Sequence, residues 1–289
     1  MIIFFQSGQL GNQIFQYLAM KKFDDKEKII FVGADALANI FSTDITNISS
    51  PKIQDSYLYK FLFRLMVRFL PSILLFLSDS LHLITSVEEL RGENGSKFIT
   101  KYGLIKKIVF FKKSYYQCED ISHINAAQNL RIHSYLIKEA KNKILQIDTD
   151  HNKLYFIHIR RGDFIHWPSI NSPAVVPLSW FTNQMNVILA INPDAKFLIF
   201  SDDKPYVEEF FHQNSACFLV SEAEEIEFTM MSMCLGGGIL SPSTFAWWAA
   251  FIGQRDSSNA RYIAPKYWIG HRSRQWYPPG IETDWMQYD

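Results

Sequence analysis

Hydrophobic and polar positions follow two alternating patterns along this chain. Short unbroken apolar runs, expected of strands buried on both faces, are separated by stretches in which apolar residues recur every third or fourth position, as on a half-buried helix. The opening predicts a strand over Met1 to Gln6, a glycine loop over Ser7 to Asn12, a helix over Gln13 to Phe23 and a second strand over Lys28 to Val32. Beyond Leu154 the alternation is regular. Strands are predicted at Leu154 to Ile159, Lys196 to Phe200, Ala216 to Val220, Gly238 to Leu240 and Arg261 to Ala264. Helices fall between them at Ser179 to Leu189, Pro205 to Phe211, Glu225 to Leu235 and Ser243 to Gly253. Such alternation implies parallel strands with covered faces. The middle is less regular, with apolar helical pieces between Asn39 and Lys113, helices between Ile121 and Ile147, and a polar linker at Asp148 to Lys153. The expectation is an α/β protein of two Rossmann-type domains, residues 1–150 and 151–289, facing each other across a cleft.

Composition narrows the class. At 289 residues and 48% hydrophobic content, the chain can bury a sizeable core in each of two domains. Basic and acidic residues balance at 29 each, which argues against a general nucleic-acid binder. Cys118, Cys217 and Cys234 lack zinc-like or redox spacing and are expected to be reduced thiols. Met1 to Phe5 is too short for a signal-peptide core and reads as a strand, so a cytoplasmic location is expected. Tyr57 to Leu77 is strongly apolar, yet Lys60, Arg64 and Arg68 recur every fourth residue, placing three cations on one helical face. Two readings stand for this segment: a core-packed amphipathic helix, or a helix lying on an anionic membrane surface. A spanning helix would not normally carry such a stripe.

Four segments carry candidate chemistry. Phe156 to Phe164 reads Phe-Ile-His-Ile-Arg-Arg-Gly-Asp-Phe, an apolar strand ending in Arg160 and Arg161. Guanidinium forks grip phosphate oxygens bidentately, and α/β sheets place ligands at strand ends, so the pair suggests a diphosphate site; ordinary surface ion pairs are the plain alternative. Asp163 is placed either to orient an arginine or to take a proton. Gly8 to Gln13 is a glycine turn before a helix, either a structural turn or an anion-approach loop. Ser201-Asp202-Asp203 follows a strand and suits a helix cap or a sugar contact better than a metal. Finally, Ser241, Ser243 and Thr244 precede a helix whose N-terminus can cradle phosphate, while Trp247 and Trp248 follow within it, with packing of the helix on the sheet as their plain alternative and the better reading for Trp248.

These segments, in this order, resemble the α-1,2-fucosyltransferases, inverting enzymes that use GDP-fucose. Gly8 to Tyr17 is similar to that family's Gly-Gly-Leu-Gly-Asn-Gln-Met/Ile-Phe-Gln-Tyr opening, and His158 to Phe164 to its His-x-Arg-Arg-Gly-Asp-Tyr/Phe signature. Ser201 to Asp203, Pro242 to Trp248 and Ala264 to Trp268 match further family elements; residues from about 35 to 150 match no named motif. The resemblance implies a GT-B-like fold with the donor mainly on the C-terminal half. It implies that Arg160 and Arg161 act on the diphosphate, with Asp163 as candidate base. It puts Gly11, Asn12, His158, Asp202, Asp203, Glu227, Ser241, Ser243, Thr244 and Phe245 on the donor, Glu227 against guanine. Gln13, Phe164 and Trp247 would meet the acceptor. The implied reaction moves L-fucose from GDP-β-L-fucose to O-2 of a terminal galactose, without metal or other cofactor. The implied partner is a galactose-terminated oligosaccharide or lipid-linked glycan of the O-antigen kind, with possible peripheral contact at the inner membrane face. Gln9, Pro242 and Ala246 depart from the usual Gly, Asn and Ser. They keep open another acceptor or linkage, or a non-catalytic nucleotide-sugar or glycan-binding module.

Overall fold

The computed structural model describes residues 1–92, 95–117, 127, 130–169, 171–257, 259–278 and 281–289. The chain divides into two α/β units, Met1–Arg131 and Ile132–Asp289. Each is built on a six-stranded, largely parallel sheet, the Rossmann-type pair expected of a GT-B-like fold.

In the first unit the strands run in the order Thr46–Ile48, Ile29–Val32, Ile2–Phe5, Ile105–Phe111, Ile84–Gly92, Gly95–Lys101. All pairings are parallel except the last, a hairpin. Helix Leu10–Phe23 follows the first strand, with Leu10, Ile14, Phe15 and Leu18 fully buried. The sequence pattern is corrected here. Ile84 to Phe111, expected as apolar helical pieces, forms three strands. The Ile84–Gly92 strand ends in charge because Glu88 pairs with Lys101 and Lys112 from the neighbouring strands, while Glu89 pairs with Arg91 on the same strand. Opposite charges on neighbouring strands hide the alternation that single-strand reading relies on.

Helix Tyr57–Leu75 forms as expected, with Ser56 capping it through a bond from Tyr59 N. The core-packed reading fails: only Leu74 along the helix is buried. Leu70, Leu74 and Leu77 rest against Ile84 and Phe110, Phe63 and Met66 are partly buried, and most of the other apolar side chains are exposed.

The second unit orders its strands Cys217–Leu219, Lys196–Ser201, Leu154–Ile159, Gly237–Leu240, Arg261–Ala264, Met286–Tyr288, all parallel. Numbered within the unit, this is 3-2-1-4-5-6, the doubly wound order whose direction reverses between its first and fourth strands. Helices Leu178–Ile191, Lys204–Phe211, Glu224–Ser232 and Thr244–Asp256 alternate with them. One core layer joins Ile157, Ile159, Phe181, Met185, Phe197 and Ile199. The division falls before the expected boundary near 150, because helix Ser134–Ile144 packs on helix Glu224–Ser232. Asp148 to Lys153 is accordingly not a linker between units. Asp150 caps a short turn at His151–Lys153 that leads straight into the Leu154 strand. Cys217 and Cys234 are free thiols, and Cys118 lies outside the described residues, as does part of the helical region expected from Ile121.

Candidate active site

In the second unit three of the four segments converge. Register pairs Ser201 with Ile159 and Leu240 with His158, so the carboxyl ends of three neighbouring strands stop at the same level. Arg160-Arg161, Asp202-Asp203 and Ser241 to Thr244 follow those ends directly. The reversal point of the sheet lies between the first and last of these, the position where doubly wound sheets hold their ligands.

Hydrogen bonds tie the loops together. Ser241 N donates to His158 O at 2.9 Å, and Arg160 N donates to Ser241 Oγ at 2.9 Å, closing the reversal point from both sides. Ser201 Oγ donates to Ile159 O at 2.8 Å and accepts from Asp203 N at 3.0 Å. Arg161 N donates to Asp202 Oδ1 at 2.8 Å. That approach is why Gly162 is glycine: a Cβ there would sit 2.6 Å from Asp202 Oδ2.

The two guanidinium groups are held differently. Arg160 Nε and Nη2 both donate to Asp163 Oδ1, at 3.1 and 2.8 Å, and Nε also lies 3.2 Å from Asp202 Oδ2. Its plane approaches the Phe164 ring at 5.7 Å. Arg161 Nε donates to Asp203 Oδ2 at 2.9 Å, and its guanidinium lies 3.4 Å from the centre of the Tyr206 ring. Stacking on an aromatic face fixes a guanidinium plane without using its donors. Among the described residues neither terminal nitrogen of Arg161 has a partner, so that edge of the fork is available to an anion. Asp203 also caps helix Lys204–Phe211 by accepting from Tyr206 N. The cap reading of Ser201 to Asp203 therefore holds, and the acids serve the arginines as well. Among the described residues no three His, Cys, Asp or Glu side chains gather as metal ligands.

Ser243 opens helix Thr244–Asp256 without bonding its own side chain to the first turn. Ser243, Thr244 and Phe245 are all partly exposed, at a helix end with the partial positive charge that suits phosphate. Beneath them lies His158, 7% exposed, its ring 5.9 Å from Phe245, which packs edge-on against Phe228 at 5.3 Å. Burial, reinforced by the Arg160 charge, lowers the His158 pKa to about 3, so the ring is neutral. Glu227 Oε1 accepts from Lys204 Nζ at 2.9 Å and from Glu222 N at 3.1 Å, joining the starts of two helices beside the strand ends.

Several expected contacts are redirected. Trp247 is fully buried against Trp248, Phe251 and Trp285, so it packs the helix and does not meet an acceptor. Ser241 is 1% exposed and acts through its bond to Arg160 N. Phe164 is largely buried beside Trp167 and lies against Arg160. In the first unit, Gly11 and Gln13 are buried, and Gln13 Oε1 accepts from Leu37 N at 3.0 Å. Asn12 Oδ1 accepts from Gln117 Nε2 at 2.6 Å. Tyr206 and Lys204 were not legible from the sequence as site residues. Their partners, Arg161 and Glu227, are remote along the chain, and no local spacing marks them.

The family model described as "Glycosyl transferase family 11" matches residues 74–275, more than two thirds of the chain. The O-antigen biosynthesis glycosyltransferase WbnK of Escherichia coli is 25% identical over 123 residues, which span 41% of this chain and 40% of that relative. Among solved structures, POFUT1 in its apo form is similar with a TM-score of 0.49 at 11% identity, over 90% of this chain and 96% of that one. The fucosyltransferase NodZ from Bradyrhizobium is similar with a TM-score of 0.43 at 13% identity, over 86% and 90%. Since the family model takes in the arginine strand end, the Asp202-Asp203 pair and the Ser243 helix start, this chain belongs to glycosyl transferase family 11, the α-1,2-fucosyltransferase family.

Proposed function

We propose that the protein is a galactoside α-1,2-L-fucosyltransferase, transferring L-fucose from GDP-β-L-fucose to O-2 of a terminal galactose with inversion. The observation that carries this reading is the pair of pre-oriented arginines beside a helix N-terminus at the reversal point of the second sheet.

In the proposed reaction the bond from the anomeric carbon to the diphosphate oxygen breaks, and its electron pair leaves with GDP. The galactose O-2 forms the new bond from the opposite face, and its proton passes to a base. The largest charge develops on the leaving diphosphate. Donors fixed in advance stabilise such charge without reorganising, an effect worth about 10²–10³ in rate per well-placed donor. Arg161, clamped by Asp203 and Tyr206, and Arg160, clamped by Asp163, are the donors in this account, with the Ser243–Phe245 helix start beside them. Glu227, the acid that the family resemblance sets against guanine, stands in the first turn of helix Glu224–Ser232. Asp163 spends Oδ1 on Arg160 and has a second carboxylate oxygen for the acceptor proton.

The test is GDP release from GDP-fucose with and without a panel of terminal β-galactosides, in EDTA, followed by linkage analysis. Acceptor-dependent release that survives chelation, with the product linked to O-2, supports the reading. GDP binding without turnover on any galactoside would replace it with a different acceptor or a binding module.

A further inference from the structure

We propose that helix Tyr57–Leu75 docks the first unit onto an anionic lipid surface, lying along it instead of crossing it. Tyr57–Ser80 is long and apolar enough to span a membrane by length and composition. Its packing argues against that orientation. Leu70, Leu74 and Leu77 are held against the sheet, and Arg64 and Arg68 stand midway along the apolar stretch, where a spanning helix would bury them in hydrocarbon.

The outward face has a defined composition. Leu58, Phe61, Leu65, Phe69, Ile73 and Phe76 recur three or four residues apart and are all at least a third exposed. Arg64 and Arg68 flank that stripe, both exposed, and no acid occurs from Tyr57 to Leu77. An exposed apolar face edged by cations along the helix, with the acid just past its end, Asp79, paired to Lys112, matches an anionic interface in both its parts: the acyl boundary takes the stripe and the headgroups take the charges. A second copy of the chain would bring the same cations against each other.

A second element, remote in sequence, repeats the pattern beside the helix end. Leu104 N donates to His82 O at 3.0 Å and Ile105 N to Leu83 O at 2.7 Å, tying this loop to the residues just past the helix. The loop exposes Tyr102 and Leu104, the latter 80% exposed, and Lys106 and Lys107 follow, also exposed. Two segments that pack little of their apolar surface in the chain thus expose it side by side, each with cations and neither with an acid. Such a surface would hold a transferase next to a lipid-linked acceptor.

Flotation tests this with the full chain and two kinds of vesicle, phosphatidylcholine alone and phosphatidylcholine with about a third phosphatidylglycerol. The protein is expected to float with the anionic vesicles and to be released by salt. Arg64→Gln with Arg68→Gln should weaken binding roughly thirtyfold, the change expected on losing two surface cations. Phe61→Ser with Leu65→Ser should also abolish flotation, while both variants keep the wild-type melting temperature and donor turnover on a soluble acceptor. No flotation on anionic vesicles would overturn the proposal. So would equal binding to neutral vesicles, or a wild-type dimer in solution that the Phe61 and Leu65 changes dissociate.

Discussion

The glycine turn after the first strand and the arginine pair after the Leu154–Ile159 strand occupy equivalent places, each at the carboxyl end of a strand inside a parallel sheet. They use their polar residues in opposite ways. In the turn, Gln13 satisfies Leu37 N, Gln16 donates to Ser7 O and Ser114 O, and Asn12 accepts from Gln117. Its polarity is spent on its own loops. At the arginine end the partners are other charged side chains at the rim, and they orient the guanidinium groups without covering the outer edge of Arg161. A family motif therefore marks a place in the fold, and the direction each side chain takes decides between architecture and chemistry.

That contrast breaks most visibly under substitution. Arg161→Ala is expected to lower turnover by about 10²–10³, with the melting temperature nearly unchanged, since its partners Asp203 and Tyr206 remain solvated. Arg161→Lys should recover little, because an ammonium cannot reproduce a planar fork stacked on Tyr206. Steady-state kinetics with thermal melts decide both. Gln13→Ala should do the reverse. Leaving Leu37 N unsatisfied in a buried site costs about 1–3 kcal/mol, read by urea denaturation, with turnover per folded molecule preserved. A large loss of kcat at unchanged stability would move Gln13 to the acceptor after all.

Gly8→Ala sharpens the same point with a smaller effect. Gly8 has φ of 83°, and a Cβ would stand 2.2 Å from Asn12 Nδ2. About 1–2 kcal/mol of stability should be lost through strain in the left-handed region. Gln9, by contrast, has φ of −90° and replaces glycine without backbone cost, so Gln9→Gly should leave the turn intact.

His158 yields a pH signature. Its folded pKa is lowered to about 3, below the ordinary value near 6.5, so the fold favours the neutral ring. Its stabilising contribution is complete above about pH 6.5 and is lost as pH falls toward about 3, with a limiting slope of about 1.4 kcal/mol per pH unit. Urea titrations between pH 7 and 4 should show that slope, and His158→Gln should flatten it.

The second unit was legible because its central strands are buried on both faces. Leu154–Ile159 and Lys196–Ser201 are nearly unbroken apolar runs, and of the six strands in that sheet the three-residue edge strand Met286–Tyr288 escaped notice. The first unit was less so. In the Ile84–Gly92 strand, Glu89 is buried and accepts from Tyr116 N, a tertiary bond that no local pattern announces. For helix Tyr57–Leu75 the composition foretold a helix but not what would cover it, since apolar spacing is the same toward a core or toward a bilayer. Trp247 shows the converse limit. Its place within a matched motif suggested a ligand, whereas the helix turns it inward onto Phe251 and Trp285. At the active site the identities of Arg160, Arg161, Asp163 and Ser243 were readable. The clamps that aim the arginines, Tyr206 above all, depend on the order of strands in the sheet.

The central claim is that the arginine pair is built for a diphosphate, and calorimetric binding of GDP and GMP to the wild type and to Arg161→Ala tests it most directly. The account predicts that the wild type binds GDP at least tenfold tighter than GMP, a difference of about 1.4 kcal/mol or more, and that the variant loses most of that preference while keeping its affinity for GMP. Equal binding of the two nucleotides by the wild type, or an undiminished preference in the variant, would contradict it.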